Sequence, residues 1–258
     1  MESYWSDLAL LDWQVELGAV DAIGDAPVDR TALEAVKPAP KAAEAKAPPP
    51  PVTTEALDPV RLARDAAAAA ADLEALAKAQ ADFDLCEVKR GARNFVFSDG
   101  TPGARVMILG EAPGANEDRV GKPFVGEAGQ LLDRMLAAIG LDRAAQDPGQ
   151  GVYITNVLPW RPPGNATPGK ADVAMMVPFV ERHVALAAPD VLVLMGNTPC
   201  GAMLGRQGIT RMRGTWVEVL GRPALPMFHP AYLLRNTAAK REAWADLLAL
   251  KAKLRDMP

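Results

Sequence analysis

In Arg105-Val-Met-Ile-Leu109, closed by Gly110, an arginine leads into an apolar run stopped by a glycine. An apolar run without polar alternation predicts a strand buried on both faces, not one with a wet side. The same pattern returns at Val152-Tyr-Ile-Thr155, at Val191-Leu-Val-Leu194 and over Ala224–Phe228. Helical periodicity fills the intervals near 127–140, 171–187 and 198–204, and again over 238–254. Strands alternating with helices predict an α/β fold, here three layers (α/β/α) around a central four-stranded parallel sheet. Ligands of such sheets sit at the carboxyl ends of the strands. That rule selects four places: after Leu109, after Thr155, after Leu194 and after Phe228.

Upstream of the sheet, the alanine-rich stretch 56–81, with Leu62, Leu73 and Leu76, predicts one helix. Residues 37–52 (Lys-Pro-Ala-Pro-Lys-Ala-Ala-Glu-Ala-Lys-Ala-Pro-Pro-Pro-Pro-Val) form a tether in which proline fixes φ and removes donors. Leu8, Leu11, Val15 and Leu17, with Trp5 and Trp13, suggest an amphipathic helix before it. The expected organisation is a helical segment over 1–36, a disordered Pro/Ala-rich linker over 37–55 and an α/β domain over 56–258.

The 258 residues are 49% hydrophobic and carry a net charge of −4. The charge is unevenly spread. Residues 1–89 hold 17 acidic and 8 basic side chains, and residues 90–258 hold 15 acidic and 20 basic. A mildly basic body behind an acidic front is compatible with phosphate contact. The two cysteines, Cys86 and Cys200, form no C-x-x-C pair, which fits a reducing cytoplasm. The acidic opening has no basic n-region before an apolar stretch, and no run has the length of a membrane span.

Three strand ends carry unusual residues. Gly110-Glu-Ala-Pro-Gly-Ala-Asn-Glu-Asp118 continues through Gly121-Lys-Pro-Phe-Val-Gly126. Small residues at 110, 112 and 114 let backbone N–H groups approach a ligand. The loop is neither G-x-G-x-x-G nor a P-loop, and an ordinary βα turn is also glycine-rich. Thr155-Asn156 precedes Arg161-Pro-Pro-Gly-Asn165, and the Asn156 amide could read one edge of a base or cap a turn. Phe228-His229-Pro-Ala-Tyr-Leu-Leu-Arg235 places one of only two histidines just past a strand; the other, His183, falls in a helical stretch and is expected at the surface or core edge. After Leu194, Gly196-Asn-Thr-Pro199 opens a helix whose N–H groups could hold a phosphate, or simply begin a helix.

Gly110-Glu-Ala-Pro-Gly114, Lys122-Pro-Phe-Val-Gly126, Thr155-Asn156, Arg161-Pro-Pro-Gly-Asn165 and His229-Pro-Ala-Tyr-Leu-Leu-Arg235 occur in this order. Together, over roughly residues 83–254, they resemble the family 4 uracil-DNA glycosylases, the iron–sulfur type. The resemblance implies excision of uracil flipped out of DNA. It implies that Phe124 stacks on the uracil and that Asn156 reads its polar edge. His229 donates to uracil O2 as negative charge moves onto the base. Ala112 and Gly114 then supply close backbone, Glu117 lines the pocket, and Glu111 places water or stabilises the sugar cation. Leu233, Leu234 and Arg235 enter the groove left by the flipped base. Arg161, Asn165, Arg211 and Arg213 are the remaining candidate DNA contacts, although Arg211 and Arg213 also read as solvated arginines. The expected partner is uracil-containing DNA, met by a monomer.

The family's 4Fe–4S cluster sits on four cysteines. The matching positions here are Phe83, Cys86, Trp160 and Met176, so one ligand remains and no cluster or other metal is expected. Two rivals stand beside an active glycosylase: a catalytically weakened DNA-binding repair accessory on the same fold, and an unrelated α/β enzyme for a small phosphorylated or nucleoside substrate. Retention of Phe124, Asn156 and His229 favours the enzyme.

Overall fold

A computed structural model describes residues 7, 8, 10, 13, 14 and 58–257. Asp7, Leu8, Leu10, Trp13 and Gln14 are helical. The rest of the expected front helix and the linker 37–55 lie outside the described residues.

Four parallel strands form the middle of the sheet: β2 (Val106–Gly110), β3 (Val152–Asn156), β4 (Val191–Met195) and β6 (Arg222–Met227). Two further strands, β1 (Ser98–Gly100) and β5 (Val217–Val219), add antiparallel edges, and the order is β1-β3-β2-β4-β6-β5. The expected four-stranded sheet is thus the centre of a six-stranded one. The edges escape the sequence pattern because Ser98-Asp-Gly100 and Val217-Glu-Val219 are three residues long and partly polar. β5 pairs with β6 only as far as Ala224. Pro226 therefore lies beyond it, where a missing N–H leaves no gap in that ladder.

The helices are α1 (Pro59–Ala69), α2 (Leu73–Asp82), α3 (Ala115–Val120), α4 (Glu127–Ala137), α5 (Lys170–Ala187), α6 (Asn197–Leu204), α7 (Ile209–Met212), α8 (Pro230–Arg235) and α9 (Lys240–Asp256). Side chains alternate across the sheet. Met107, Leu109, Tyr153, Leu192 and Leu194 share a core with Leu76, Phe179 and Cys200 of α2, α5 and α6. Val106, Ile108, Val152, Ile154, Val191 and Val193 share another with Leu132, Leu233 and Leu247 of α4, α8 and α9. Both faces are dry, which is why the strands read as continuous apolar runs. Each fully buried Leu or Ile contributes about 1.5–3 kcal/mol.

The stretch 56–81 forms two helices, not one. The Asp72 carboxylate accepts from the Ala75 N–H at 2.8 Å and starts α2. Arg182 of α5 donates to the Ala70 carbonyl at 3.0 and 2.6 Å, satisfying the end of α1. Alanine propensity alone would run through this point. A cap and a tertiary contact to a residue distant in sequence stop it.

His183 is also not where its sequence suggested. It is buried, stacks on Phe97 with ring centroids 4.4 Å apart, and places Nε2 2.9 Å from the Tyr153 hydroxyl. The tyrosine reaches across from β3 and gives the imidazole a partner in the core.

Candidate active site

Chain order reverses around β2, which has β3 on one side and β4 on the other. This is the switch point where open α/β sheets leave a crevice. A cleft of about 680 Å³ occupies it, lined from four strand ends by Glu111, Asn156, Gly196 and His229, with Phe124 among its walls.

His229 caps α8: its Nδ1 accepts from the Ala231 N–H at 3.1 Å. A nitrogen that accepts an N–H carries a lone pair, so in the neutral ring the proton resides on Nε2. Nε2 is therefore the donor left for a ligand. Burial, assisted by the positive charge of Arg235 and opposed by Glu117, holds the imidazole pKa down to about 4. Burial alone pushes His183 down to about 3. Both rings are neutral in the folded state at pH 7. Between pH 6.5 and about 4 the unfolded chain binds protons that the folded chain refuses, so stability falls as pH falls through that window. Thermal unfolding at pH 7, 6 and 5 should give successively lower midpoints. A flat series would mean that the histidines ionise in the folded state.

Phe124 sits across from His229, with ring centroids 5.2 Å apart and planes 29° from parallel. It adopts φ +52°, a left-handed conformation that costs a non-glycine residue roughly 1–3 kcal/mol. Its neighbours hold it there. The Glu117 carboxylate accepts from the Val125 and Gly126 N–H groups at 2.9 and 2.8 Å and from Gly114 at 3.2 Å. Glu117 therefore ties the loop after β2 to the Phe124 loop, with both carboxylate oxygens occupied by backbone. Two glycines complete the cradle. A Cβ on Gly129 would overlap the Phe124 carbonyl, and one on Gly110 would collide with Asn156 Oδ1 and stand 2.6 Å from the Phe124 ring.

Asn156 ends β3. Its side chain is 5% exposed, lines the cleft, and makes no hydrogen bond among the described residues. A nearly buried amide with an open edge offers an acceptor and two donors to the cleft. Glu111 receives a hydrogen bond from the Thr198 hydroxyl. Asn197 Oδ1 accepts from the Gly208 and Ile209 N–H groups at 3.1 and 2.9 Å, drawing that loop against the cleft.

Of the residues named from sequence, Glu111, Ala112, Gly114, Glu117, Phe124, Asn156, Asn165, His229 and Arg235 line this cleft. Arg161 stands beside it, with Nε donating to Asn165 Oδ1 at 2.7 Å. Arg211 and Leu234 are exposed. Two DNA-contact assignments need correction. Leu233 is 1% exposed and packs in the core, because it lies on the α8 face opposite the cleft. Arg213 is drawn to buried Asp246, with Nε 2.8 Å from Oδ2, and donates to the Glu242 carbonyl at 2.8 Å. Its guanidinium neutralises a carboxylate in the protein and is not turned outward. Thr198 and Tyr232 line the cleft without having been named as site residues. Thr198 falls in Gly196-Asn-Thr-Pro199, a stretch the strand-end rule selects, but nothing local points to a carboxylate 87 residues away.

The positions that match the cluster ligands of the resemblance also converge. Phe83, Cys86, Trp160 and Met176 are all buried in one apolar cluster. Phe83 meets Phe179 edge-on at 5.5 Å, and Trp160 lies 5.7 Å from Phe95. Burial pushes the Cys86 thiol up to about 11, and the other three positions carry no thiol at all. No group of three or more His, Cys, Asp or Glu among the described residues is placed to hold a metal ion. These residues do not fit a four-thiolate cluster.

An aromatic face, an open amide and an Nε2–H donor meet around one crevice. Residues 97–248 match the family model of the uracil DNA glycosylase superfamily. A type-4 uracil-DNA glycosylase of Thermotoga maritima is 37% identical over 154 residues, covering 58% of this chain and 77% of its own. The type-4 enzyme of Pyrobaculum aerophilum is 33% identical over 190 residues, covering 68% and 91%. That of Sulfurisphaera tokodaii is 35% identical over 164 residues, covering 58% and 70%. The chain belongs to the uracil-DNA glycosylase superfamily and, within it, to the type-4 family.

Proposed function

We propose that this chain is a uracil-DNA glycosylase that hydrolyses the N-glycosidic bond of a uracil flipped out of DNA and leaves an abasic site. The observation that carries this reading is the meeting of Phe124, Asn156 and His229 in one cleft. Phe124 stacks on the extruded base. The Asn156 amide faces the edge that distinguishes uracil from cytosine. As the bond from N1 to the sugar breaks, its electron pair stays with the base, and His229 Nε2–H stabilises the charge arriving at O2. Water then adds to the sugar cation at C1′ and gives up a proton, and the departing uracil anion takes one up, so that free uracil and an abasic sugar result. Glu111, one carboxylate oxygen of which accepts from Thr198, orients that water or stabilises the cation. Arg161, Asn165, Arg211, Leu234 and Arg235 are assigned to the DNA strand around the flipped nucleotide. The direct test is incubation with a uracil-containing oligonucleotide followed by alkaline cleavage. Strand scission at the uracil position is expected, and an intact strand would remove the assignment.

The protein acts as a monomer without a cluster, in the cytoplasm, where two buried unpaired thiols stay reduced. Apolar packing of Phe83, Trp160 and Met176 supports the cluster-free reading. The purified protein should be colourless and contain far less than one iron per chain by elemental analysis. A brown preparation with several irons per chain would require ligands other than these.

DNA affinity should fall steeply with salt, because each neutralised phosphate releases counterions. The basic excess over residues 90–258 motivates this. Titration of labelled DNA at rising salt measures the slope, and an affinity insensitive to salt would point to a small-molecule substrate.

A further inference from the structure

A second cavity, of about 210 Å³, opens between α4, α8 and α9. Its floor is apolar and nearly closed to solvent, formed by Met135, Leu233, Ala243 and Leu247. Trp244 forms a wall and is 43% exposed; Leu248, next along α9, is 46% exposed. Lys240, Trp244, Leu248 and Lys251 recur at helical spacing, so one face of α9 presents the exposed Trp244 and Leu248 between cations. Arg134 and Lys240 stand at the cavity, and neither makes an ion pair among the described residues. No acidic residue among the described residues lines it.

We propose that this groove docks an acidic segment of a partner protein, which inserts an apolar side chain into the hollow and sets carboxylates against Arg134 and Lys240. The hollow is shaped to accept one apolar side chain between charged neighbours. The unpaired cations around it select the sign of what flanks the anchor. DNA is the other polyanion this protein meets, but a phosphate backbone has no apolar group to fill the hollow and would leave Trp244 and Leu248 exposed. An amphipathic peptide laying an apolar side chain in a groove satisfies both the floor and the rim.

The groove also backs directly onto the cleft. Leu233 in its floor belongs to α8, the helix that His229 caps and whose opposite face carries Ala231 and Arg235 into the cleft. Met135 and Arg134 belong to α4, the helix whose Gly129 presses against the Phe124 carbonyl. An occupant therefore rests on the two elements that hold His229 and Phe124.

The test uses the full chain and a fluorescently labelled, end-capped short peptide of glutamates around a central Leu-Phe pair. A counterpart carries lysine in place of every glutamate. Polarisation should show saturable binding of the acidic peptide, weakened by salt, and none of the basic one. The double variant Arg134→Glu, Lys240→Glu and the single variant Trp244→Ala should each lose about tenfold or more in peptide affinity. The double variant should keep the parent melting temperature, and both should keep the parent rate on uracil-DNA without peptide. Absence of binding at millimolar peptide, equal binding of the two peptides, or unchanged affinity in the charge-reversed variant would overturn the proposal. So would displacement of the peptide by uracil-free duplex together with a loss of DNA affinity in the double variant, since that would give the face to DNA. Peptide binding is read without any turnover, so it succeeds or fails independently of the glycosylase assignment.

Discussion

His229→Ala is expected to slow uracil release by roughly a hundred- to a thousandfold under single-turnover conditions, the usual consequence of removing one oxyanion donor, worth about 2.7–4 kcal/mol. The effect is differential. The Nε2–H faces a nearly neutral carbonyl in the bound substrate and a charged oxygen once the base departs, so its loss weakens the transition state more than the ground state. DNA affinity should therefore change little. The same side chain caps α8 through Nδ1. Losing a cap costs about 0.5–2 kcal/mol of stability. His229→Asn separates the two roles, because a short amide still offers a cap acceptor. The asparagine variant should recover the melting temperature while remaining slow. With the imidazole pKa held near 4 by burial, the parent rate should show no acidic limb from this group until pH approaches that value. A variant that turns over at the parent rate would remove His229 from the site. Phe124→Ala supplies the contrast: stacking acts on the flipped base throughout, so binding and rate should both fall.

Asn156→Asp should strongly depress activity on uracil and admit cytosine. The Asn156 amide has an acceptor and two donors and no protein partner among the described residues, so its edge is available to a base. Aspartate keeps acceptors and loses the donors. Opposite uracil this leaves a carbonyl unpaired in a nearly closed site, which typically costs about 1–3 kcal/mol, with charge repulsion added. Opposite cytosine, the exocyclic amine meets an acceptor. Parallel assays on uracil- and cytosine-containing strands read the change directly. If both substrates respond equally, Asn156 positions the chain and does not read the base. Gly110 constrains the same experiment, because its missing Cβ is what leaves space for the Asn156 amide and the Phe124 ring together.

Much of this site is legible in the sequence. Four dry strands announce themselves as apolar runs, and the carboxyl-end rule then points at Glu111, Asn156 and His229 without any partner being known. The edge strands were not legible, since Ser98-Asp-Gly100 has no apolar pattern to detect. The break at Ala70–Asp72 was hidden by alanines that favour helix on both sides of it. Leu233 and Arg213 were assigned to DNA from their place in motifs. Their actual partners are the core behind α8 and a carboxylate on α9, neither of which local sequence reveals.

Sequence by itself determined the layers, the strand ends that carry the chemistry and the residue types at them, because periodicity and turn chemistry are local. Tertiary structure decided which of those residues share one crevice and in what state. It sets Glu117 to hold the Phe124 loop, Thr198 to hold Glu111, and the α8 backbone to select the His229 tautomer. It also decided that a thiol at position 86 sits among Phe83, Trp160 and Met176 and stays protonated. Each of these depends on groups brought together by the fold, through burial and hydrogen bonds that act over a few ångströms whatever their separation along the chain.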